Sequence, residues 1–153
     1  MSLYLVQHGK AYSKDKYPEQ GLSEEGVSDV KRIATVAKGY NINVARIEHS
    51  GKKRAAQTAQ LFADYLHPKN DIQERKGIKP LDNVIDLAGT LDSDSNIMLV
   101  GHLPFLEKLI SFLITGNPET PVFQLQNGGI VCLNSPADKK NWIIKWALMP
   151  NVS

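Results

Sequence analysis

Ile97-Met98-Leu99-Val100-Gly101-His102-Leu103-Pro104 is the stretch on which the fold reading turns. Its first four residues are apolar on both faces, as an interior strand of a parallel sheet must be when helices cover the sheet on either side. Gly101 ends the run, and Pro104 suits the first turn of a helix, where its missing N–H would have no partner anyway. Phe105, Leu106, Leu109, Ile110 and Leu113 then recur at helical spacing. Strand, tight turn and helix in this order form half of a parallel crossover unit.

The pattern repeats outward from there. Leu3 to Val6 is a short apolar run followed by Gly9, a buried strand ending in a turn, and residues 12–22 are a polar loop. Ser23 is a good N-cap, and Glu24 and Glu25 place anions in the first turn, where the helix dipole favours them. Val27, Val30, Ile33, Ala34 and Ala37 carry that helix, with Gly39 as its expected stop. Val44 to Glu48 predicts a second strand, ending at His49-Ser50-Gly51. Ala55, Ala56, Ala59, Phe62, Ala63 and Leu66 predict a helix that closes near His67-Pro68. Ile72 to Arg75 reads as a short edge strand, and residues 83–91 as a weak helix on Val84, Leu87 and Ala88. Gly129 to Leu133 and Trp142 to Leu148 flank Asn134-Ser135-Pro136-Ala137-Asp138 as a closing hairpin, with Trp142, Ile144 and Trp146 alternating along its second strand. There is no internal repeat or linker. The expectation is one α/β domain over 1–153, a three-layer sandwich with a largely parallel central sheet, helices on both faces and a C-terminal hairpin.

Composition narrows the function classes. The chain has 153 residues, 42% hydrophobic and 22% charged, which argues against disorder, collagen or a coiled coil. A chain of this length buries roughly 68–70% of its unfolded surface and can build a full core. A net charge of +2 allows an anionic ligand but lacks the dense basic stripe of a nucleic-acid binder. No run approaches the ~20 apolar residues of a membrane-spanning helix, and Leu3 to Val6 is too short for a signal-peptide core. Cys132 has no partner for an internal disulfide, so a reducing, cytoplasmic setting is expected.

The candidate chemistry sits at the predicted strand ends. His8 lies just past the first strand and His102 just past the fourth, and ligands of open α/β sheets bind outside the carboxyl ends of the strands. Gly9 and Gly101 let backbone come close to a ligand, and the helix opening at Leu103-Pro104 can aim free N–H groups at an anion. Two strand-end histidines that simply bond their loops explain the spacing about as well. Ser50-Gly51-Lys52-Lys53-Arg54 puts cations at a helix N-terminus, against the dipole by a few tenths of a kcal/mol or more for each charge. A bound anion would account for this placement. Arg54 offers the fork geometry suited to phosphate, while Lys52 and Lys53 read as solvated surface charges.

These stretches together resemble the histidine phosphatase superfamily, and most closely its compact SixA-type phosphohistidine phosphatase branch. Val6-Gln7-His8-Gly9-Lys10-Ala11 stands where that family has its Arg-His-Gly start. Ser50-Gly51-Lys52-Lys53-Arg54-Ala55-Ala56-Gln57-Thr58 is similar to its Ser-Pro-x-x-Arg-Ala-x-Gln-Thr segment, and Leu22-Ser23-Glu24-Glu25-Gly26 to its helix start. Met98-Leu99-Val100-Gly101-His102-Leu103-Pro104 matches the segment of the second histidine. The ordered set spans nearly the whole chain and leaves no room for a large cap insertion. The resemblance implies a phosphatase acting on phosphohistidine, in a phosphorylated protein or small phosphoramidate, through a covalent intermediate. It makes His8 the nucleophile, with Arg54 and His102 binding the phosphoryl oxygens and Gln7 and Gly9 completing the phosphate site. It implies no cofactor and no metal; the sequence has no His-Glu-x-x-His and no zinc-type Cys/His spacing, so a metal-dependent hydrolase finds no support in it.

Gln7 departs from the pattern, since an amide brings neither the charge nor the five-donor fork of arginine. Exchanging a charged for a neutral hydrogen bond would slow turnover roughly 10- to 100-fold. The alternative is therefore a catalytically reduced relative that binds phosphorylated ligands. Lys10 is close enough in sequence to restore some positive potential. Asp82 is the candidate general acid, though it or Asn83 equally serves as a helix cap. A missing acid would favour phosphoramidates over simple esters. His49 is a rim candidate that reads better as a turn histidine, His67 is a helix-end residue, and Gln126-Asn127-Gly128-Gly129 is either pocket border or plain turn.

Overall fold

The computed structural model describes residues 2–91, 95–135 and 141–152. Along the chain run β1 (Ser2–Gln7), α1 (Glu24–Gly39), β2 (Arg46–His49), α2 (Lys53–Leu66) and β3 (Gln73–Glu74). They are followed by α3 (Val84–Ala88), β4 (Ile97–Gly101), α4 (Phe105–Thr115), β5 (Ile130–Asn134) and β6 (Ile143–Leu148). The strands form one sheet in the order β3-β2-β4-β1-β5-β6. β3, β2, β4 and β1 are mutually parallel, and β5 and β6 add antiparallel strands at the far edge. This is the expected three-layer α/β sandwich with a C-terminal hairpin. None of the helices among the described residues is long and apolar enough to cross a membrane.

Side-chain alternation along the interior strands divides the core. Leu3, Leu5, Ile97 and Leu99 face α3 and α4, whereas Tyr4, Val6, Met98 and Val100 face α1 and α2. Glu48 on interior β2 is tolerated because Arg75 Nη1 reaches its carboxylate at 2.7 Å. The Ser23 cap forms as expected, its Oγ accepting from Gly26 N at 3.0 Å. The stop of α1 differs from expectation. Gly39 remains helical, and the left-handed turn comes at Asn41, φ 56°, a residue type that tolerates that region.

The second strand of the hairpin also differs. Cys132 pairs with Trp146 but Leu133 pairs with Ile144, so Lys145 is an extra residue in a bulge. A one-residue shift reverses the facing of everything beyond it. Trp146 and Leu148 therefore pack on the α1/α2 side, and Trp142 and Ile144 on the α3/α4 side, rather than alternating together on one face. Of the predicted turn, Pro136, Ala137 and Asp138 lie outside the described residues.

One close approach locks α1 against the loop after β1. A Cβ on Gly26 would overlap the carbonyl oxygen of Lys10, which also accepts from Ser23 N at 2.9 Å. Gly26→Ala must push backbone against backbone. The expected loss is about 1–3 kcal/mol, read as a lower midpoint in chemical denaturation; an unchanged midpoint would contradict the packing described.

Candidate active site

Parallel pairing sets the geometry of the crevice. Gln7 lies opposite Gly101 in the β1–β4 register, so the next residue of each strand, His8 and His102, emerge side by side. Their ring centroids are 4.9 Å apart with the planes at 53°, and His8 N donates to Gly101 O at 3.0 Å. His49 lies opposite Val100 in the β2–β4 register, so Ser50 leaves the sheet beside His102. Ser50 Oγ and His102 Nε2 are 2.6 Å apart. Three neighbouring strands thus each deliver one polar side chain to the same edge.

The hydrogen bond of His8 assigns its tautomer. His8 Nδ1 is 2.7 Å from Gly9 O, and because a carbonyl only accepts, Nδ1 carries the proton and Nε2 keeps its lone pair. Ser50 Oγ also accepts from Lys52 N at 3.4 Å, and its bond to Nε2 fixes the His102 ring in place with Nδ1 on the opposite side. That Nδ1 is buried and has no partner in the structure. A buried polar atom left this way costs about 1–3 kcal/mol, which a ligand or an ordered water would relieve. Burial, reinforced by the charges of His8, Arg54 and Lys52, lowers the His102 pKa to about 3. His8 is also lowered, first by burial and then by Arg54, against an opposing contribution from its Gly9 bond. Both rings are neutral at physiological pH.

Arg54 enters on α2. The N-cap of this helix is Lys52, with no side-chain cap and no acidic residue in the first turn. Among the described residues no carboxylate pairs with the half-buried Arg54 guanidinium, and its charge acts on both imidazoles. Thr58, fully buried one turn on, accepts from Gly9 N at 3.0 Å and donates to Arg54 O at 2.8 Å. Asn127 Nδ2 donates to His8 O at 2.9 Å, and Gly128 N donates to Gln7 O at 2.8 Å.

No protein-family model and no curated protein matches the sequence. Solved structures do match the fold. The protein histidine phosphatase SixA, solved with tungstate, superposes with a TM-score of 0.84 at 22% identity, over 98% of this chain and 97% of that one. A phosphoserine phosphatase from Entamoeba histolytica, solved with 3-phosphoglyceric acid, gives 0.72 at 18% identity, over 95% of each chain. A mycobacterial glucosyl-3-phosphoglycerate phosphatase, solved with VO3, gives 0.68 at 14% identity, over 95% of this chain and 97% of that one. The chain has the histidine phosphatase fold.

Within this histidine phosphatase fold, His8, His102, Arg54 and Gly9 meet at one edge. Gln7 joins them at the end of β1, 8% exposed, with its Oε1 buried and unpartnered. Other expected cations are engaged elsewhere. Lys10 Nζ pairs with Glu25 at 2.6 Å, and Lys53 Nζ with Glu19 at 2.8 Å. Positive potential at the crevice therefore comes from Arg54 and Lys52, not from Lys10. Asp82 closes a turn by accepting from Lys79 N at 2.9 Å, and it is absent from the charges that act on the two imidazoles. Asn83, not Asp82, caps α3. His49 Nδ1 accepts from Gly51 N at 3.0 Å, His67 is the left-handed cap of α2, and Cys132 is buried. Ser50 and Thr58 were given no role of their own by the sequence, and Asn127 only a place in a stretch read as pocket border or plain turn. Ser50 alone had a readable signal, since it follows its strand as His8 and His102 follow theirs.

Proposed function

We propose that this protein is a phosphatase that hydrolyses phosphohistidine, in a protein or peptide, through a covalent phosphohistidine on His8 and without a metal or cofactor. The observation that carries this reading is the His8 imidazole. It is neutral, anchored through Nδ1 on Gly9 O, and keeps its Nε2 lone pair free beside His102 and Arg54. In this reading Nε2 forms a bond to phosphorus as the P–N bond to the leaving imidazole breaks, that bond's electron pair passing to the departing nitrogen. Arg54 and His102 hold the phosphoryl oxygens, and most of the acceleration is positioning and charge stabilisation. Water then hydrolyses the adduct and regenerates His8. Asp82 is engaged with Lys79 N, which supports a substrate whose leaving group departs without a strong carboxylic acid, a phosphoramidate rather than an alkyl ester. The lone, buried Cys132 supports a reducing compartment, the cytoplasm.

The test is incubation with a phosphohistidine peptide, followed by a search for acid-labile phosphate mapped to His8. Turnover with a trapped adduct supports the enzyme. The neutral side chain of Gln7 favours a second reading, a relative that binds phosphorylated ligands with little turnover. Phosphate binding without adduct or turnover would select that reading and overturn the first.

Ser50 is a positioning residue in this scheme. Ser50→Ala releases the Nε2 that it holds and lets the His102 ring turn, so kcat is expected to fall roughly 10- to 100-fold with far-UV dichroism unchanged. Steady-state kinetics on the phosphohistidine peptide check this, and an unaltered kcat would remove Ser50 from the scheme.

A further inference from the structure

The backbone around His8 is held at each of its polar atoms. His8 N donates to Gly101 O at 3.0 Å, and Gly9 N donates to Thr58 Oγ1 at 3.0 Å. Between them, His8 O accepts from Asn127 Nδ2 at 2.9 Å and, at 3.3 Å, from Gly128 N. His8 O and Gly9 N belong to one rigid peptide plane, so Asn127 and Thr58 grip that plane at its two polar atoms. The next carbonyl, Gly9 O, is the one that receives His8 Nδ1–H. A tilt of the His8–Gly9 plane therefore moves the acceptor that orients the ring.

The turn that carries Asn127 is fixed by three other parts of the chain. Gln126 makes a reciprocal pair with the segment after β6, its Nε2 donating to Asn151 O and Asn151 N donating to its Oε1, both at 3.0 Å. From α1, Arg32 Nη2 donates to Pro150 O at 2.8 Å and to Asp29 Oδ1 at 3.2 Å. Gly128, with φ 81°, donates to Gln7 O on β1 at 2.8 Å.

We infer that Asn127 is a positioning residue for His8: its amide, braced by Gln126 on Asn151, fixes the His8–Gly9 peptide and with it the carbonyl that keeps the ring proton on Nδ1. This rests on the phosphatase reading for the role of His8 and adds what holds that ring ready to attack. An imidazole attacks only through an unprotonated nitrogen, and Nε2 stays unprotonated while the proton is held on Nδ1. Without the Asn127 amide, His8 O keeps only the longer bond from Gly128 N. The peptide can then tilt about its Thr58 bond, and the ring can exchange tautomers, placing a proton where the lone pair is needed. Arg54 and His102 stand on α2 and at the end of β4, so the groups that would hold phosphate stay in place.

Nitrogen-15 NMR of the imidazole, with steady-state kinetics on the phosphohistidine peptide, tests this in the wild type, Asn127→Ala and Gln126→Ala. Wild-type His8 is expected to show the Nδ1–H form alone above pH 6.5, where its lowered pKa keeps it neutral. Asn127→Ala should add ring signals of the Nε2–H form and lower kcat roughly 10- to 100-fold, with KM changed less than about threefold. Gln126→Ala leaves the Asn127 amide in place but unbraced, and should lower kcat roughly 3- to 10-fold with the same new ring signals. An Nε2–H form in the wild type would overturn the inference, as would wild-type ring signals and kcat in either variant, or a rise in KM alone. A fall in kcat with unchanged ring signals would make the role of Asn127 merely structural and overturn it as well. If Asn127→Ala does not fold, the wild-type spectrum and Gln126→Ala decide. A trapped adduct on His8 together with an unaltered Asn127→Ala would leave the phosphatase reading standing and remove this one. The ring signals are read without substrate, so they answer for Asn127 even where no turnover is found.

Discussion

His8→Ala is expected to bind phosphate yet form no acid-labile phosphoryl adduct, with turnover reduced by roughly four to six orders of magnitude. The size follows from the absence of any substitute nucleophile. His102, the nearest imidazole, has Nε2 bonded to Ser50 and Nδ1 buried, so neither of its ring nitrogens stands free as Nε2 of His8 does. Phosphate binding persists because Arg54 and His102 remain. The pH dependence follows from the same groups. The attacking nitrogen must be unprotonated, and burial with Arg54 nearby lowers the His8 pKa, so the acid limb of the wild-type kcat/KM profile should lie below pH 6.5. Rapid-quench labelling and a pH–rate profile check both statements. An adduct that survives in His8→Ala would remove the proposed nucleophile.

Arg54→Ala should lower kcat/KM by roughly a thousandfold, close to the effect of deleting a donor that stabilises transition-state charge. In a site with a second arginine the loss would be shared. Here the neighbouring strand-end side chain is the neutral Gln7, and Lys10 and Lys53 are paired with Glu25 and Glu19. Arg54→Lys should recover only a small part, because an ammonium cannot make two parallel bonds to one phosphoryl group. A loss of less than tenfold for Arg54→Ala would show that Lys52 or the backbone of α2 carries the anion instead.

The elements that position the site were legible wherever one rule governed them. Apolar runs of β1 and β4 ending at Gly9 and Gly101, and the helical spacing of α1, α2 and α4, placed His8, His102 and Arg54 at one edge from the sequence. What escaped depends on partners distant along the chain. Nothing in the spacing of Lys10 and Glu25, or of Lys53 and Glu19, shows that the cations are held away from the anion. The bulge at Lys145 is invisible to a two-residue period, which assigned Trp142, Ile144 and Trp146 to a shared alternation. Gly39 had the better composition for a helix stop, yet the chain turned at Asn41, because composition gives candidates and packing selects among them.

Thr58 ties two candidate site residues together. Its single hydroxyl receives the amide that follows His8 and hands its hydrogen to the carbonyl of Arg54. The His8 ring and the Arg54 cation are thereby mounted on one buried strut, although 46 positions separate them along the chain. The loop of residues 12–22 is fastened to the same helix, Leu22 N donating to Gln57 Oε1 at 2.7 Å and Lys53 Nζ pairing with Glu19 at 2.8 Å. Helix α2 is thus the common mount of the Arg54 cation, the turn at Gly9 and that loop.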